Sequence, residues 1–255
     1  MARLEGKTAI ITGGAGDIGM AAARLFINEG AKVLLVDLEE DALQKAVQSL
    51  RSDSAYYAVA DVTQPEQVEK YVERAVELFG GIDVFLNNAG IEGVVKPITD
   101  YPVEVFDRVI AVNIRGVWLG LKYVMPVMQT RGGGSIVITS SEAGVSGSPN
   151  MSAYVTSKHA VIGMMRTAAL EGAAHNIRVN TVNPSPLEGR MMRSIEEGFA
   201  PGAGDQVKAL LESRIPLNRY GSPEDVASMM LFLSSDEGSF CTGGVYMVDG
   251  GETTS

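Results

Sequence analysis

The chain has 255 residues, of which 45% are hydrophobic and 20% are charged, as is usual for a globular α/β protein. Its net charge of -10 at pH 7 argues against a surface that binds nucleic acid or an anionic membrane. Cys241 is the only cysteine, so no intrachain disulfide can form. We expect a cytoplasmic protein without a signal peptide, a membrane span or a metal site.

The chain opens with a strand, a glycine-rich turn, a helix and a second strand. Apolar runs from Thr8 to Thr12 and from Lys32 to Asp37 predict two buried parallel strands, with a helix from Met20 to Asn28 between them. The turn reads Gly13-Gly14-Ala15-Gly16-Asp17-Ile18-Gly19. Such a turn lets backbone N–H groups approach a pyrophosphate at the positive end of a helix. This unit therefore predicts a dinucleotide site.

Asp37 ends the second strand, 18 residues after Gly19. A carboxylate at this position can accept hydrogen bonds from a ribose 2′-OH and would repel a 2′-phosphate. It therefore favours NAD over NADP. Asp37 is also a candidate N-cap of the following helix, and the two roles do not exclude each other.

Two further strands bring small and polar residues to the same edge of the predicted sheet. The run from Tyr56 to Ala60 ends in Asp61-Val62, which either contacts the adenine amino group or forms a cap or Asx-turn before Pro65. The run from Ile82 to Leu86 ends in Asn87-Asn88-Ala89-Gly90, which is either a cofactor loop or a plain turn.

Asn113 lies within a helical pattern from Val103 to Gln129, among apolar neighbours. A buried Asn must be hydrogen-bonded. Its side chain therefore either bridges backbone groups or holds a water behind Lys158 in a proton relay.

Tyr154 and Lys158 stand one turn apart on a helix predicted from Ser152 to about Ala174. The ammonium is expected to lower the phenol pKa from about 10 towards about 7, which takes roughly 4 kcal/mol. A Tyr-x-x-x-Lys pair also occurs by chance on solvated helices. Ser141 follows the strand from Gly134 to Ser140, where it either donates to a substrate oxygen or simply caps a turn.

The last third of the chain predicts a strand from Arg178 to Asn183, a helix from Pro223 to Leu233 and a strand from Val245 to Val248. The segment 187–214 is rich in Gly and Met and predicts a long loop acting as a lid. The predicted pocket wall is mostly apolar and suits a neutral alcohol or ketone, with room for a polyol or amino alcohol; it comprises Glu142, Val145, Asn150, Met151, Met191, Met192 and Phe199.

The strands and helices alternate throughout. We therefore predict one domain over residues 1–255, an α/β fold of the Rossmann type. It is a doubly wound parallel sheet of about seven strands with helices on both faces, in three layers αβα.

The order of these motifs resembles the short-chain dehydrogenase/reductase family, in its compact single-domain branch. The resemblance rests on Thr12 to Gly19, Asp61-Val62, Asn87 to Gly90, Asn113, Ser140-Ser141, Tyr154 to Lys158, Asn183-Pro184 and Val248 to Gly251. It implies a catalytic tetrad of Asn113, Ser141, Tyr154 and Lys158, in which Tyr154 is the general acid/base and Lys158 also contacts the nicotinamide ribose.

The resemblance also implies NAD as cofactor, a small-molecule substrate and a homotetramer. The implied cofactor contacts are Gly13, Asp17, Ile18, Gly19, Asp37, Leu38, Asp61, Val62, Asn88, Ala89, Gly90, Tyr154, Lys158, Pro184 and Leu187. Small residues at Ala160, Gly163 and Ala168 would allow helix packing between subunits.

The chain departs from the family's pattern in two places. Asp17 stands where the family usually has Gly, so its carboxylate must point away from a pyrophosphate, for example as a helix N-cap. After the sixth strand, Pro184-Ser185 stands where the family commonly has Pro-Gly, and Gly189 stands where it commonly has a Thr that contacts the carboxamide. Backbone of Leu187 would serve instead.

The resemblance implies an NAD-dependent alcohol dehydrogenase or ketone reductase. Three alternatives remain: a 3-oxoacyl-thioester reductase, a lyase or epimerase of related fold, and a catalytically silent NAD-binding sensor or scaffold. Asp37 argues against the thioester reductase. The absence of a longer C-terminal substrate domain argues against the lyase or epimerase. The intact tetrad argues against the silent sensor or scaffold.

Overall fold

The computed structural model describes residues 2–254, and within them seven strands form one parallel sheet in the order β3-β2-β1-β4-β5-β6-β7. The strands are β1 (Thr8–Thr12), β2 (Lys32–Asp37), β3 (Ala55–Val59), β4 (Val84–Asn87), β5 (Gly134–Thr139), β6 (Ile177–Pro184) and β7 (Val245–Val248). The strand order reverses between β1 and β4, where Ile10 pairs with Leu34 on one side and Phe85 on the other. The carboxyl edge at such a reversal is where α/β sheets bind ligands.

Helices connect the strands and cover both faces of the sheet. They are α1 (Asp17–Asn28), α2 (Glu40–Leu50), α3 (Pro65–Phe79), α4 (Val103–Ile110), α5 (Val117–Arg131), α6 (Ser152–Ala173), α7 (Arg190–Phe199), α8 (Gly204–Glu212) and α9 (Pro223–Ser234). This architecture confirms the predicted doubly wound, three-layer Rossmann-type fold.

The sheet separates two apolar cores because successive strand residues point to opposite faces. Ile10, Leu34 and Phe85 pack against α3, α5 and α6 on one face. Ile11 and Leu35 pack against α1, α2 and α9 on the other. The central strands are therefore apolar without interruption, which explains why their sequence runs predicted them well.

The segment 187–214 is not the irregular loop that we predicted, since α7 and α8 fill most of it. Met191, Met192 and Ile195 line the cleft described below from one face of α7. Ile195 and Phe199 recur at helical spacing, but Gly198 and the glycines that follow hid this pattern.

The predicted long helix through Asn113 is interrupted. A π-helical turn, Ala111–Gly116, separates α4 from α5. A Cβ at Gly116 would lie 2.9 Å from Val62 Cγ2, so the turn packs against the end of β3. Hydrophobic periodicity does not register such a turn, since its backbone angles stay close to those of an α-helix.

Candidate active site

A cleft of about 1410 Å³ runs along the carboxyl edge of the sheet. Most residues predicted to bind cofactor line it: Gly13, Asp17, Ile18, Asp37, Leu38, Asp61, Val62, Asn88, Ala89, Gly90, Tyr154, Lys158, Pro184 and Leu187. Ser141, Glu142, Met151 and Met191 line it as well. Gly19, Asn113 and Asn150 lie outside the lining.

The glycine-rich turn is packed too tightly for larger residues. Gly13 has φ +64°, and a Cβ on Gly19 would lie 2.3 Å from the Gly13 carbonyl oxygen. Gly19 therefore closes the turn on itself and does not face the cleft. Gly16 caps α1 without a side chain, which leaves the first amides of the helix directed at the cleft. This donor set fits a pyrophosphate.

Asp17 does not cap α1. Its Oδ2 atom instead accepts a hydrogen bond of 3.1 Å from the backbone N–H of Arg190, the first residue of α7. The carboxylate is thus directed towards the start of α7.

Asp37 lies at the end of β2, where its oxygens accept hydrogen bonds from the backbone amides of Ala15 (3.1 Å) and Leu38 (2.8 Å). These contacts fix the carboxylate beside the glycine-rich turn. The described residues that line this end from β2 and β3 are Val36, Asp37, Leu38, Ala60, Asp61 and Val62, and none of them is a cation that could meet a 2′-phosphate.

Asp61 forms the Asx-turn that was the alternative to an adenine contact. Its Oδ1 atom accepts a 2.8 Å hydrogen bond from the Thr63 amide. Its own amide donates to Gln67 Oε1 at 2.7 Å.

Thr12, Asn88, Thr139 and Lys158 form a hydrogen-bonded network that we call the floor of the cleft. Thr12 Oγ1 accepts from the amides of Asn88 (2.9 Å) and Ala89 (3.1 Å). Thr139 Oγ1 donates to Asn88 Oδ1 at 2.9 Å, and its carbonyl accepts from Lys158 Nζ at 2.8 Å. The network joins the ends of β1, β4 and β5 to α6.

Tyr154 has a higher pKa than the sequence predicted. Burial raises it to about 12, and the negative charges of Glu142 and Glu92 add to this rise, while the Ser141 side chain opposes it. Lys158 is buried, which lowers its own pKa to about 8, and its Nζ lies 5.4 Å from the Tyr154 ring centroid. The predicted drop in the Tyr154 pKa is therefore wrong for the protein alone, since burial raises this pKa.

Asn113 bridges backbone groups. It is buried, and its amide accepts from Ile91 N–H and donates to Ile91 C=O, both at 2.9 Å, and to Ser157 Oγ at 3.0 Å. A Cβ at Gly90 would lie 3.4 Å from Asn113 Oδ1 and 3.6 Å from Lys158 Nζ, so both side chains adjoin the loop after β4.

The substrate end of the cleft is apolar with an acidic rim. Val145, Met192 and Phe199 line it with the predicted Met151 and Met191. Glu142 accepts a 2.7 Å hydrogen bond from Ser146 Oγ. Asn150 is exposed, with φ +66°, and its carbonyl accepts a hydrogen bond from the Lys96 amide.

Sequence reasoning missed Thr139, Glu92 and Glu252. Thr139 holds Lys158 through a carbonyl, which no side-chain pattern reveals. Glu252 lines the cleft, and burial together with the charges of Glu142 and Asp249 raises its pKa to about 7. Its place near the chain's end gave no signal of proximity to Glu142.

No helix between residues 2 and 254 has the length and apolarity to cross a membrane. In the same range, no group of three or more His, Cys, Asp or Glu residues could hold a metal ion.

Comparison with known proteins places the chain in one family. A family model described as enoyl-(acyl carrier protein) reductase matches residues 13–253. The 3-oxoacyl-(acyl-carrier-protein) reductase FabG of Thermotoga maritima is 42% identical over 252 residues, covering 98% of both chains. Cyclohexanol dehydrogenase of Acinetobacter sp. (strain SE19) is 37% identical over 254 residues, covering 99% of this chain and 97% of the relative.

Solved structures agree with these relatives. The crystal structure of levodione reductase superposes with a TM-score of 0.96 at 34% identity, covering 99% of this chain and 100% of the other. The structure of NAD+-bound xylitol dehydrogenase gives a TM-score of 0.90 at 37% identity, covering 96% and 98%. The chain therefore belongs to the short-chain dehydrogenase/reductase family, whose members are oxidoreductases with a nicotinamide cofactor.

Proposed function

We propose that the protein is an NAD-dependent dehydrogenase/reductase acting on a secondary alcohol or its ketone. The observation that carries this proposal is the meeting of Ser141, Tyr154 and the buried Lys158 in one cleft whose far end holds Asp37. The nicotinamide, when bound, takes or gives the hydride, and the protein's own residues handle the proton.

Tyr154 exchanges that proton with the substrate oxygen, as a base in oxidation and an acid in reduction. Its raised pKa suits the acid role in the protein alone. Lys158, held by the Thr139 carbonyl at 2.8 Å, stabilises the phenolate with its positive charge. The Ser141 hydroxyl orients the substrate oxygen. Asn113 fixes the loop after β4 and is a positioning residue in this scheme.

Asp37 supports NAD as the cofactor. A 2′-phosphate beside this carboxylate would be repelled and would find no cation among the residues contributed by β2 and β3. The family fixes a nicotinamide cofactor, and the choice between NAD and NADP is our proposal.

The substrate end supports a neutral alcohol or ketone, because methionines and other apolar side chains form most of its wall. A cyclic secondary alcohol fits this wall, and cyclohexanol dehydrogenase is a relative at 37% identity. We also propose that the chain forms one domain in which α7 and α8 cover the substrate. We propose a cytoplasmic location, in keeping with the single cysteine. We further propose that the protein assembles as a homotetramer.

Light scattering tests the assembly, and a monomer would contradict it. Ala160 and the exposed Gly163 lie on the outer side of α6. Ala168 does not, since it is buried in the core.

A 3-oxoacyl-thioester reductase is the second candidate, favoured by the 42% identity to FabG. That reaction needs a path for a long thioester arm into the cleft. Activity on an acetoacetyl thioester above that on every alcohol and simple ketone would establish this candidate in place of the first.

The test is a spectrophotometric panel at alkaline pH with NAD or NADP and with secondary alcohols, cyclic diols, polyols and hydroxy acids. We expect turnover with NAD, at a rate reduced about 10²–10⁴-fold by Tyr154→Phe. Calorimetry should show that Tyr154→Phe binds NAD as the unmodified protein does. Tyr123→Phe, on α5, is the control and should change neither the rate nor NAD binding. Turnover with NADP alone would overturn the role given to Asp37, and undiminished activity of Tyr154→Phe would overturn the role of the phenol.

A further inference from the structure

The lid helix α7 begins without a capping side chain of its own. Its N-cap residue is Gly189, which has no side chain, and the backbone N–H of Arg190 is the first donor of the helix. Asp17 supplies the missing acceptor, with its Oδ2 atom 3.1 Å from that nitrogen and 173 residues away in sequence. A carboxylate in this position stabilises a helix by hydrogen bonding and by its interaction with the helix dipole.

Asp17 and Gly189 fit each other sterically. A Cβ built on Gly189 would lie 2.3 Å from Asp17 Oδ2, closer than any real contact allows. Gly189 also has φ +153°, where other residues are strained. A side chain at position 189 would therefore force the Asp17 carboxylate out of its contact with the Arg190 amide.

Arg190 is held from a second direction. Its guanidinium lies 3.4 Å from Glu92 Oε1, in the segment that follows β4, and the Glu92 side chain is only 12% exposed. The start of α7 is thus attached both to the turn after β1 and to the chain beyond β4. Those two strands flank the reversal of strand order at which the cleft opens.

We propose that Asp17 caps α7 from the glycine-rich turn and thereby fixes the first turn of a helix that forms part of the cleft wall. Met191, Met192 and Ile195 follow the capped residue directly and form part of the cleft wall. Fixing the first turn of α7 fixes that wall before any substrate arrives. The contact exists within the protein alone, so it does not depend on which substrate or cofactor is correct.

Hydrogen exchange of the intact protein, followed by mass spectrometry of its peptides, tests the cap. We expect Asp17→Ala to speed exchange about fivefold in peptides covering 189–212, as the loss of one cap does. Asp17→Asn keeps an acceptor oxygen and should speed exchange less than about twofold. Peptides from α9 should not change in either variant. Asp41→Ala is the matched control, because Asp41 is an exposed acid in the first turn of α2.

Gly189→Ala disrupts the same contact from its other side and is the second variant, should Asp17→Ala fold poorly. Faster exchange confined to 189–212 would support the cap. Unchanged exchange of that segment, an equal effect of Asp41→Ala, or an increase spread evenly over α9 would each overturn it. The measurement uses no cofactor or substrate, so its result tests the cap even if the proposed activity is wrong.

Discussion

The floor of the cleft and its lid are stabilised by different kinds of contact. The floor consists of hydrogen bonds at strand ends, in which Thr12, Thr139 and Lys158 are all at least nine-tenths buried. The lid, α7 with α8, is held by ion pairs whose arginines are exposed, such as Arg190 with Glu92 and Arg193 with Asp205. A buried polar group left without a partner costs about 1–3 kcal/mol, while an exposed ion pair contributes about 0–1 kcal/mol. The floor is therefore the more firmly held of the two regions, and the lid is only lightly fixed.

The largest effect should come from the cation of the floor. We expect Lys158→Met to lower kcat by about 10²–10⁴, because the Tyr154 phenolate loses its stabilising charge. Steady-state kinetics with NAD and the best alcohol of the panel measure the loss. Lys122→Met, on the exposed surface of α5, should leave kcat unchanged. A loss below tenfold for Lys158→Met would remove the lysine from the mechanism.

Thr12→Val should be the next most damaging change. It leaves the amides of Asn88 and Ala89, two partly buried residues, without their acceptor, so we expect the free energy of unfolding to fall by about 1–3 kcal/mol. Urea denaturation gives this value, and calorimetry should show weaker NAD binding. Thr8→Val, at the opposite end of β1, should lower stability but spare NAD affinity. Equal NAD affinities in the two variants would contradict the special place of Thr12.

Lys158 should make stability depend on pH in a defined window. Burial lowers its pKa from 10.5 to about 8, so below about pH 8 the cost of the buried charge is present in full. Between about pH 8 and 10.5 the folded protein releases the proton first, and this cost is relieved. The free energy of unfolding should therefore rise by about 2–3 kcal/mol across the window, relative to Lys158→Met.

Urea denaturation of both proteins at several pH values measures this difference. The raised pKa of Tyr154 acts in the opposite direction only above about pH 10. If the free energies of unfolding of the unmodified protein and of Lys158→Met changed in parallel with pH below about pH 10, Lys158 would have an ordinary pKa.

The smallest effect should come from the lid. Arg190→Gln removes the ion pair between the exposed Arg190 guanidinium and Glu92 but keeps the backbone N–H that donates to Asp17. We expect the free energy of unfolding to change by less than about 1 kcal/mol, and less still at high salt. Thermal denaturation at two salt concentrations checks this. If Arg190→Gln lowered the free energy of unfolding as much as Thr12→Val does, the lid and the floor would not differ in how firmly they are held.

The sequence predicts the floor better than the lid for a physical reason. Strands buried on both faces must be apolar along most of their length, so β1 and β2 were bounded correctly. Helix α7 is half exposed, and Gly198 weakens its pattern. The residues that tune Tyr154, Glu92 and Glu142, follow different strands, and only the folded sheet brings their charges together. Asp17 and Gly189 likewise lie far apart in the sequence, and only the position of α7 in the folded protein brings them into contact.

The strand order also bears on how the chain folds as it is synthesised. β1, β2 and β3 form one flank of the sheet and come from the first 59 residues, whereas β5, β6 and β7 extend the other flank in the order in which they emerge. β1 has a finished neighbour in β2 long before β4 arrives on its second side. We expect the half that carries Asp37 to be assembled while the half that carries Tyr154 is still being translated, so that every later strand adds to an existing edge.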